Sequence, residues 1–462
     1  MKKFLIFIVI GWGLCQDTLW TRRYDNGLDE AGYSVATDND GNIIVAGVTV
    51  DAMGGTVPGN CLIVKYSPNG NLLWTKEYDA GGDDWLIDAA VDRGNNIIVA
   101  GYTFDTTSYF AQALIIKYSP SGDTIWSRRY QSVFFDIAQG VTTDSMNNIY
   151  VSGLSFNGNT YDLILLKYSS NGDLVWDRIY DNGFDEIGYR ADVSSDQSVT
   201  VCGIVYPPSY EADFLLIKYL PNGDTLWTKV YNFNVDDICT DIAIDFGDNI
   251  CLTGATGAYP AYDILTVKCN PNGDTVWSRI FDYGGDDEAL GIAINSNNDI
   301  FVTGVSEGNL YDYLTLRYTE SGYLKWEGRF DTGNDDQGLG IAVDNSDNII
   351  VSGASYNGTN YDFLIVKYHP DVGISEYVKQ RKSAPKIFPN PASDKIYLQT
   401  SKRKGTIEIK IYDVCGRCVK AKKFEEKNDL LSIPISDLAP GTYFMEIRTQ
   451  SQKTMNKFVI MR

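Results

Sequence analysis

A tryptophan recurs through this chain at a nearly constant interval, and this interval constrains the fold more than any other feature. Seven tryptophans follow one another at spacings of 54, 52, 50, 51, 50 and 49 residues: Trp20, Trp74, Trp126, Trp176, Trp227, Trp277 and Trp326. Two further markers keep the same period. One is a glycine that ends an apolar run: Gly47, Gly101, Gly153, Gly203, Gly254, Gly304 and Gly353. The other is a basic residue before an aromatic one, beginning at Lys65, Lys117, Lys167, Lys218, Lys268, Arg317 and Lys367, with Cys269 as the aromatic exception. A fixed period of this length predicts a repeat architecture with seven copies.

Each copy has the pattern of four short strands. In the sixth copy the apolar runs predict strands at Leu290–Asn295, Ile300–Val305, Tyr313–Tyr318 and Leu324–Phe330. Turn sequences such as Pro271-Asn272-Gly273 precede the fourth strand, because Asn and Gly accept the positive φ of a tight hairpin. The 31 Tyr, nine Trp and 43 Gly of the chain are also typical of many strands joined by turns, so we predict an all-β protein.

The order of the strands favours a closed ring over an open stack. The repeat region opens with a lone strand of the fourth type, Leu19–Tyr24, and the last copy stops after its third strand at Tyr368. The lone strand can complete the last sheet, which removes the exposed edges of an open array. We therefore predict a seven-bladed β-propeller of four-stranded blades over residues 16–373, closed by its N-terminal strand. The phrases NIIVAG, LIVKYSPNG and DTLWTKVY resemble the bacterial β-propeller repeat called the SBBP repeat. The resemblance implies this fold and no particular activity.

The repeat period ends after Gly373, and a second domain follows. Residues 374–386 are predicted to be a linker, and residues 387–462 show the alternating runs and turns of a small β-sandwich-like domain. The phrases FPNPASDKI, IYDVCGR, ISDLAPGTYF and KFVI resemble the C-terminal type A sorting domain of the type IX secretion system, an immunoglobulin-like β-sandwich. The resemblance implies that the type IX secretion machinery exports the protein, which is then released or held at the outer-membrane surface of a Gram-negative-type bacterium. An immunoglobulin-like module of flagellar hook scaffolding is the alternative.

The N-terminus has the pattern of a secretory signal peptide. Met1-Lys2-Lys3 is followed by a short apolar run, and cleavage after Cys15 would leave Gln16 as the first residue. A lipid-anchored Cys15 is the alternative. No later segment has the length and hydropathy of a membrane helix, so no membrane span is predicted.

Charge excludes one class of partner. Residues 16–373 contain 19 Lys and Arg against 51 Asp and Glu, whereas residues 374–462 contain 18 against nine. Nucleic acids and anionic lipids are bound through Lys and Arg that neutralise phosphate. The acidic propeller is therefore predicted to bind no nucleic acid, and cations, basic proteins and neutral glycans remain as ligands.

The sequence predicts no catalytic residue. His369 is the only histidine, so neither a Ser-His-Asp triad nor a multi-histidine metal site can be assembled. A glycosidase needs one distinct carboxyl pair, and nothing singles out such a pair among the acidic residues. We therefore expect no enzyme activity.

Acidic residues cluster where the fourth strand of one copy connects to the first strand of the next. Clustered carboxylates suit Ca²⁺, and five residues are the candidates for a Ca²⁺ site: Asp29, Asp83, Asp185, Asp286 and Asp335. The alternative is structural, because Asp stabilises turns through hydrogen bonds with the backbone, and this spelling recurs in five copies. We favour the structural interpretation and expect no other cofactor.

The connections between the second and third strands differ most between copies, and variable loops on a rigid scaffold are the usual binding surface. Four Tyr-Asp pairs end these loops: Tyr161-Asp162, Tyr262-Asp263, Tyr311-Asp312 and Tyr361-Asp362. Tyrosine rings and Asp carboxylates suit a sugar, although the pair can equally mark the start of the third strand. The predicted function is a secreted or cell-surface module that binds a glycan or a protein. A structural or adhesive spacer and a polysaccharide-acting enzyme are the alternatives.

Three cysteines of the fifth copy are candidates for a disulfide in an oxidising compartment: Cys239, Cys251 and Cys269. Their connectivity is not determined by the sequence. Cys415 and Cys418 form a lone CxxC, for which a disulfide or two thiols are favoured over zinc.

Overall fold

The computed structural model describes most of the chain. In the N-terminal region it describes residues 18–51, 58–105, 110–132, 134–209, 211–258, 261–308 and 310–369. In the C-terminal region it describes residues 386–388, 395–399, 406–413, 417–425, 430–436, 438–439, 441–448 and 453–460. The predicted signal peptide, residues 1–15, and all of the predicted linker except Lys386 lie outside these ranges. The chain divides into two compact units, Met1–Gly373 and Ile374–Arg462.

The first unit is a ring of seven four-stranded antiparallel sheets. Its strand β1 (Thr18–Tyr24) belongs to the last sheet. Blade 1 contains β2 (Asp29–Thr37), β3 (Ile43–Val50), β4 (Asn60–Tyr66) and β5 (Leu72–Tyr78). Blade 2 contains β6 (Asp83–Val91), β7 (Ile97–Asp105), β8 (Phe110–Tyr118) and β9 (Thr124–Tyr130). Blade 3 contains β10 (Phe135–Thr143), β11 (Ile149–Phe156), β12 (Tyr161–Tyr168) and β13 (Leu174–Tyr180).

The remaining four blades repeat this order. Blade 4 contains β14 (Asp185–Val193), β15 (Val199–Tyr206), β16 (Asp213–Tyr219) and β17 (Thr225–Tyr231). Blade 5 contains β18 (Asp236–Ile244), β19 (Ile250–Ala258), β20 (Ala261–Cys269) and β21 (Thr275–Phe281). Blade 6 contains β22 (Asp287–Ile294), β23 (Ile300–Glu307), β24 (Tyr311–Tyr318) and β25 (Leu324–Phe330). Blade 7 contains β26 (Asp336–Val343), β27 (Ile349–Tyr356) and β28 (Tyr361–Tyr368), with β1 as its fourth strand. We call the four strands of a blade A to D, in this order.

The ring is closed by its N-terminal strand. β1 pairs antiparallel with β28, with Thr18 opposite Tyr368 and Tyr24 opposite Phe363. This pairing confirms the predicted all-β, seven-bladed propeller and its closure. In blade 6 the four predicted strands are confirmed, and strands A and C begin earlier than predicted, at Asp287 and Tyr311.

The repeated glycine of strand B lies where strand A is bulged. In blade 3 the register shifts between Ala138 and Gly140, next to Gly153. A Cβ atom on any of the seven glycines would lie between 1.7 and 2.0 Å from a carbonyl oxygen of strand A: Gly47, Gly101, Gly153, Gly203, Gly254, Gly304 and Gly353. The absence of a side chain therefore lets strands A and B approach at this point in every blade.

A buried ion pair explains the repeated lysine of strand C. In blade 2, Lys117 Nζ lies 2.8 Å from Asp92 Oδ2 in the turn between strands A and B, and both side chains are buried. Lys117 Nζ also donates a hydrogen bond to the carbonyl oxygen of Ser170, in the C–D hairpin of blade 3. In blade 6 Asn295 takes the position of Asp92, and Arg317 pairs instead with Asp299 at the end of the turn. Ion pairs equivalent to that of Lys117 join Lys65 to Asp38, Lys268 to Asp245 and Lys367 to Asp344. These lysines therefore fix a turn and link neighbouring blades.

The tryptophan of strand D also contributes to packing between blades. The guanidinium of Arg178 lies 5.1 Å from the ring centroid of Trp176, and its Nε donates to the Gly223 carbonyl in the next blade. Arg22, Arg128 and Arg279 make the same two contacts. The recurring Trp and basic residues are thus part of the scaffold.

The described residues of the second unit form seven strands in two sheets. The three-stranded sheet has β29 (Lys386–Phe388), β30 (Lys395–Gln399) and β33 (Leu430–Pro434). The four-stranded sheet has β31 (Thr406–Asp413), β32 (Cys418–Glu425), β34 (Gly441–Arg448) and β35 (Lys453–Ile460). Both sheets contribute side chains to one hydrophobic core, including Ile396, Ile411 and Met445.

The predicted disulfide in blade 5 is absent, because Cys239, Cys251 and Cys269 are all free and buried. Cys251 packs in a different hydrophobic cluster from the other two. Cys239 lies opposite Gly254 and Cys269 lies opposite Ile250, four residues away along strand B, which is about 13 Å. The part of the chain that the structure describes contains no helix with the length and hydropathy needed for a membrane crossing.

Candidate functional site

One end of the ring carries the connections that differ between blades. Strand A begins, strand B ends and strand C begins at this end, as the pairing of Asp336 with Ser355 and of Ser355 with Asp362 shows in blade 7. Strand D ends there as well. The B–C loops and the D–A connections therefore share one surface, which we call the loop face.

The structure places the four Tyr-Asp pairs at the loop face, one pair in each of blades 3, 5, 6 and 7. Tyr161, Tyr311 and Tyr361 begin strand C, and Tyr262 is the second residue of its strand. The tyrosine side chains are half-buried, whereas Asp162 and Asp362 are buried. The pairs lie in four separate blades, and ligand binding by these residues stays a prediction.

The five Ca²⁺ candidates accept hydrogen bonds from the backbone. Each Oδ1 accepts an amide hydrogen at the start of strand C in the preceding blade, at distances from 2.7 to 3.2 Å: Asp29 from Tyr361, Asp83 from Gly59, Asp185 from Tyr161, Asp286 from Tyr262 and Asp335 from Tyr311. Asp236 accepts the amide of Ala212 in the same way. These contacts join strand A of one blade to strand C of the blade before it. Ca²⁺ binding by these five residues stays a prediction.

Blade 3 replaces this repeated aspartate with Phe135, and a group of aromatic rings lies around it. Phe135 stacks on Phe156 with ring centroids 5.2 Å apart, and both rings contact Tyr161, at 5.7 and 5.0 Å. Phe134 lies 6.1 Å from Phe156 and 6.0 Å from Phe110, which begins strand C of blade 2. We call these five residues the aromatic cluster.

The aromatic cluster is accessible from solvent and has polar neighbours. Phe134 is 36% exposed, and the other four side chains are partly exposed. Gln131 Nε2 donates to the Phe134 carbonyl at 2.9 Å, and Gln112 Nε2 donates to Gln131 Oε1 at 2.7 Å. The Asn157 side-chain amide donates to Thr160 Oγ1 in the adjacent B–C loop. Apolar rings beside amides and a hydroxyl group suit a ligand with both apolar faces and hydroxyl groups.

Sequence reasoning missed most of this cluster. Tyr161 was a predicted site residue, but the four phenylalanines were not. The available signal was a departure from the repeat, because Phe135 occupies a position that is Asp in the other six blades.

The aspartates of the four Tyr-Asp pairs belong to a second arrangement at the loop face. Within the described residues, four groups of three carboxylates have oxygen atoms within 4.8 Å of one another: Asp162-Asp181-Glu186, Asp263-Asp282-Asp287, Asp312-Asp331-Asp336 and Asp25-Glu30-Asp362. Each group combines an Asp of strand C, an Asp just after strand D of the same blade, and an acidic residue of strand A in the next blade. We call them the junction carboxylates.

Burial and mutual repulsion make the charged forms of the two glutamates among these carboxylates unfavourable. Burial, followed by the charges of Asp25 and Asp362, raises the pKa of Glu30 to about 8. Burial and the nearby carboxylates Asp162 and Asp181 raise the pKa of Glu186 to about 7. A bound cation or a cationic side chain would relieve this repulsion. Hard metal ions such as Ca²⁺ are bound by carboxylate oxygens, so the converging oxygens of these described residues suit such an ion.

The second unit matches a known protein family. Residues 386–461 match the family described as the secretion system C-terminal sorting domain. This match confirms the predicted sorting domain and indicates export by the type IX secretion system, to the outside or the surface of a Bacteroidetes-type cell.

The propeller resembles proteins of several kinds. An uncharacterised WD repeat-containing protein of Acanthamoeba polyphaga mimivirus is 30% identical over 189 residues, which are 31% of this chain and only 14% of the viral protein. The crystal structure of polysaccharide lyase Uly1 has a TM-score of 0.50 at 7% identity and covers 75% of this chain and 92% of its own. An ulvan lyase of polysaccharide lyase family PL25, bound to a sulfated disaccharide unit, has a TM-score of 0.48 at 10% identity, covering 76% and 96%. The likeness to Uly1 concerns the fold alone.

Proposed function

We propose that this chain is an exported glycan-binding protein that holds a neutral polysaccharide against the aromatic cluster on its loop face. The C-terminal sorting domain indicates the export. We propose the ligand and its site, and we also propose that the seven blades are SBBP repeats. The immunoglobulin-like form of the sorting domain stays a prediction.

The aromatic cluster is the observation that carries this proposal. Its five rings belong to blades 2 and 3. Most residues that recur in every blade pack within or between blades, whereas these rings form a group found at one place on the loop face. Phe135 takes the place of an aspartate that links two blades elsewhere, so the rings are present at the cost of a scaffold contact. An exposed aromatic surface on a rigid scaffold is typical of a binding site.

Charge favours a neutral polysaccharide over an anionic one. Residues 16–373 carry 51 acidic against 19 basic residues, so an anionic polymer would approach against a repulsive field. The faces of a neutral sugar ring can stack on Phe134 and Phe135, and its hydroxyl groups can hydrogen-bond to Gln131 and Asn157.

The proposal is tested by titrating the mature chain with a panel of neutral and anionic soluble polysaccharides. We expect saturable binding to a neutral member, and a loss of affinity of about tenfold or more in Phe134→Ala, which removes the most exposed ring. Phe184→Ala is the matched control, because Phe184 occupies the equivalent position in blade 4 with the same exposed fraction of 36%. The control variant should bind as the unaltered chain does.

Each other outcome contradicts the proposal in a distinguishable way. Silence across the panel would favour a structural spacer or a protein ligand. Binding that Phe184→Ala weakens as much as Phe134→Ala does would remove the aromatic cluster from the site. New reducing ends in the polysaccharide would indicate an enzyme, as would the unsaturated products of a lyase.

A further inference from the structure

The junction carboxylates between blades 3 and 4 bring three negative charges into one small space. Asp162 begins strand C of blade 3, Asp181 follows strand D of the same blade, and Glu186 belongs to strand A of blade 4. One carboxylate oxygen from each lies within 4.8 Å of the other two. Glu186 is fully buried and Asp162 is 4% exposed, whereas Asp181 faces solvent.

One buried oxygen at this junction has no partner among the described residues. Glu186 Oε1 is buried without a hydrogen bond. Its Oε2 accepts a single long hydrogen bond, of 3.5 Å, from the amide of Asn182. A buried charged oxygen without a partner is costly, so a group that satisfies it is expected.

Two of the other three junctions contain an arginine that pairs with the strand C aspartate. Between blades 7 and 1, Arg23 of strand D lies 2.7 Å from Asp362. Between blades 6 and 7, Arg329 at the equivalent position lies 3.3 Å from Asp312. The equivalent position of strand D is Ile179 in blade 3 and Ile280 in blade 5, opposite Ile164 and Leu265 in strand C.

The junction between blades 5 and 6 lacks the arginine but satisfies its buried carboxylate. Asp287 accepts hydrogen bonds from the Tyr283 amide at 2.6 Å and from the Ser306 hydroxyl. The residue that pairs with Glu186 in strand B is Val205, which has no hydroxyl group to donate. Within the described residues, the junction of blades 3 and 4 alone combines an unpartnered buried carboxylate oxygen with an apolar residue in place of the arginine.

We propose that Asp162, Asp181 and Glu186 bind a hard divalent cation, Ca²⁺ in particular, which joins blade 3 to blade 4. Carboxylate oxygens are the ligands that Ca²⁺ prefers, and its irregular coordination tolerates ligands from three different strands. Exposed Asp181 leaves one side open for water ligands. The cation takes the part that the arginine takes at the junctions of blades 6 and 7 and of blades 7 and 1.

The site is tested by isothermal titration of the full mature chain with CaCl₂ after treatment with a chelator. We expect saturable binding with a dissociation constant of about 10⁻⁴ to 10⁻³ M, the range of extracellular Ca²⁺ modules. Asp181→Asn should weaken it by about tenfold or more, because it removes one ligand charge. Asn keeps the oxygen that accepts the Gly183 amide, so the turn is preserved.

Asp331→Asn is the matched control at the junction of blades 6 and 7. Asp331 also follows strand D and accepts the amide of the glycine two residues later, Gly333. Its junction contains Arg329, so this substitution should leave Ca²⁺ affinity unchanged. Absence of saturable binding in the unaltered chain would overturn the proposal, and so would equal weakening by the two variants.

Glu186→Gln distinguishes a metal ligand from a residue that only supports the fold. Without Ca²⁺ the amide should raise the Tm, because it removes an uncompensated buried charge. With Ca²⁺ the unaltered chain should gain stability and Glu186→Gln should not. A Ca²⁺-dependent rise in Tm that persists in Glu186→Gln would contradict this site.

Discussion

Replacing Lys117 with Met would leave a buried carboxylate without its cation. The side chains of Lys117 and Asp92 are 5% and 1% exposed, and their charged atoms lie 2.8 Å apart. Met fills most of the volume of the lysine stem but cannot donate to Asp92 or to the Ser170 carbonyl. The turn between strands A and B of blade 2 and the contact with blade 3 are both weakened.

Removing one partner of a buried ion pair destabilises a protein by about 3–5 kcal/mol, because the other charge remains buried and uncompensated. In a domain of this size, each kcal/mol lowers the Tm by about 2 °C, so we expect a fall of about 6–10 °C. The measurement is a thermal melt of the mature chain near pH 7. Lys229→Met is the control. Lys229 Nζ lies 2.6 Å from Asp274 Oδ1, but the Asp274 side chain is 67% exposed, and exposed ion pairs contribute little to stability, so the Tm of this variant should change little.

The pH dependence identifies the cause of the loss. Burial raises the pKa of Asp92, but the hydrogen bonds from Lys117 and Asn96 outweigh it and hold the pKa below its usual value. In the unaltered chain, stability from the pair is therefore present above the unfolded pKa and is lost as the pH falls through the lower folded value. In Lys117→Met, burial acts without the lysine and the pKa rises, so protonation relieves the penalty. The difference in Tm between the unaltered chain and Lys117→Met should therefore narrow as the pH falls from about 7 to about 4.5. A difference that stays constant with pH, or a fall in Tm no larger than that of Lys229→Met, would refute this reasoning.

Two further substitutions test the scaffold and the junction carboxylates. In Gly153→Ala the new Cβ would lie 2.0 Å from the Ile137 carbonyl oxygen, so we expect a loss of about 3 kcal/mol or more in chemical denaturation. In Gly308→Ala the new Cβ would meet only the Leu310 carbonyl oxygen, at an ordinary contact distance of 3.5 Å, so this control should lose little. Equal losses would contradict the close approach of strands A and B. Burial raises the pKa of Glu30 to about 8, so its contribution to stability is present below the unfolded pKa and is lost as the pH rises. Glu30→Gln should raise the Tm near pH 8 and flatten its decline above about pH 5, and an unchanged slope would contradict the burial of a charged Glu30.

The repeat made the fold predictable from the sequence. The period of Trp20 and its counterparts gave the number of blades, and the lone strand before Tyr24 gave the closure, because both depend on order along the chain. The roles of the repeated residues were harder to assign. The ion pair between Lys117 and Asp92 depends on the order of the strands in the sheet, where strand B lies between strands A and C, and the spacing of the two residues in sequence does not show it.

The candidate site was less predictable, because it forms between blades. Phe110 and Phe134 belong to different blades, and their contact depends on how adjacent sheets pack. Asp162 and Glu186 come from strands C and A of neighbouring blades, so the spacing in sequence does not show that their oxygens converge. The Tyr-Asp pairs were recognised as units, yet Tyr161 joins the aromatic cluster while Asp162 turns to the junction carboxylates, since alternate residues of a strand face opposite sides.

Closure of the ring by β1 is measured most directly by hydrogen exchange of the mature chain, followed in peptides that cover Thr18–Tyr24 and Tyr361–Tyr368. The β1 amides pair with β28 from Thr18 to Tyr24. They should therefore be protected to a similar degree as those of β28 and lose protection together with them in denaturant. Exchange of the β1 amides at the rate of an unfolded chain, with β28 still protected, would show that the ring is not closed by this strand.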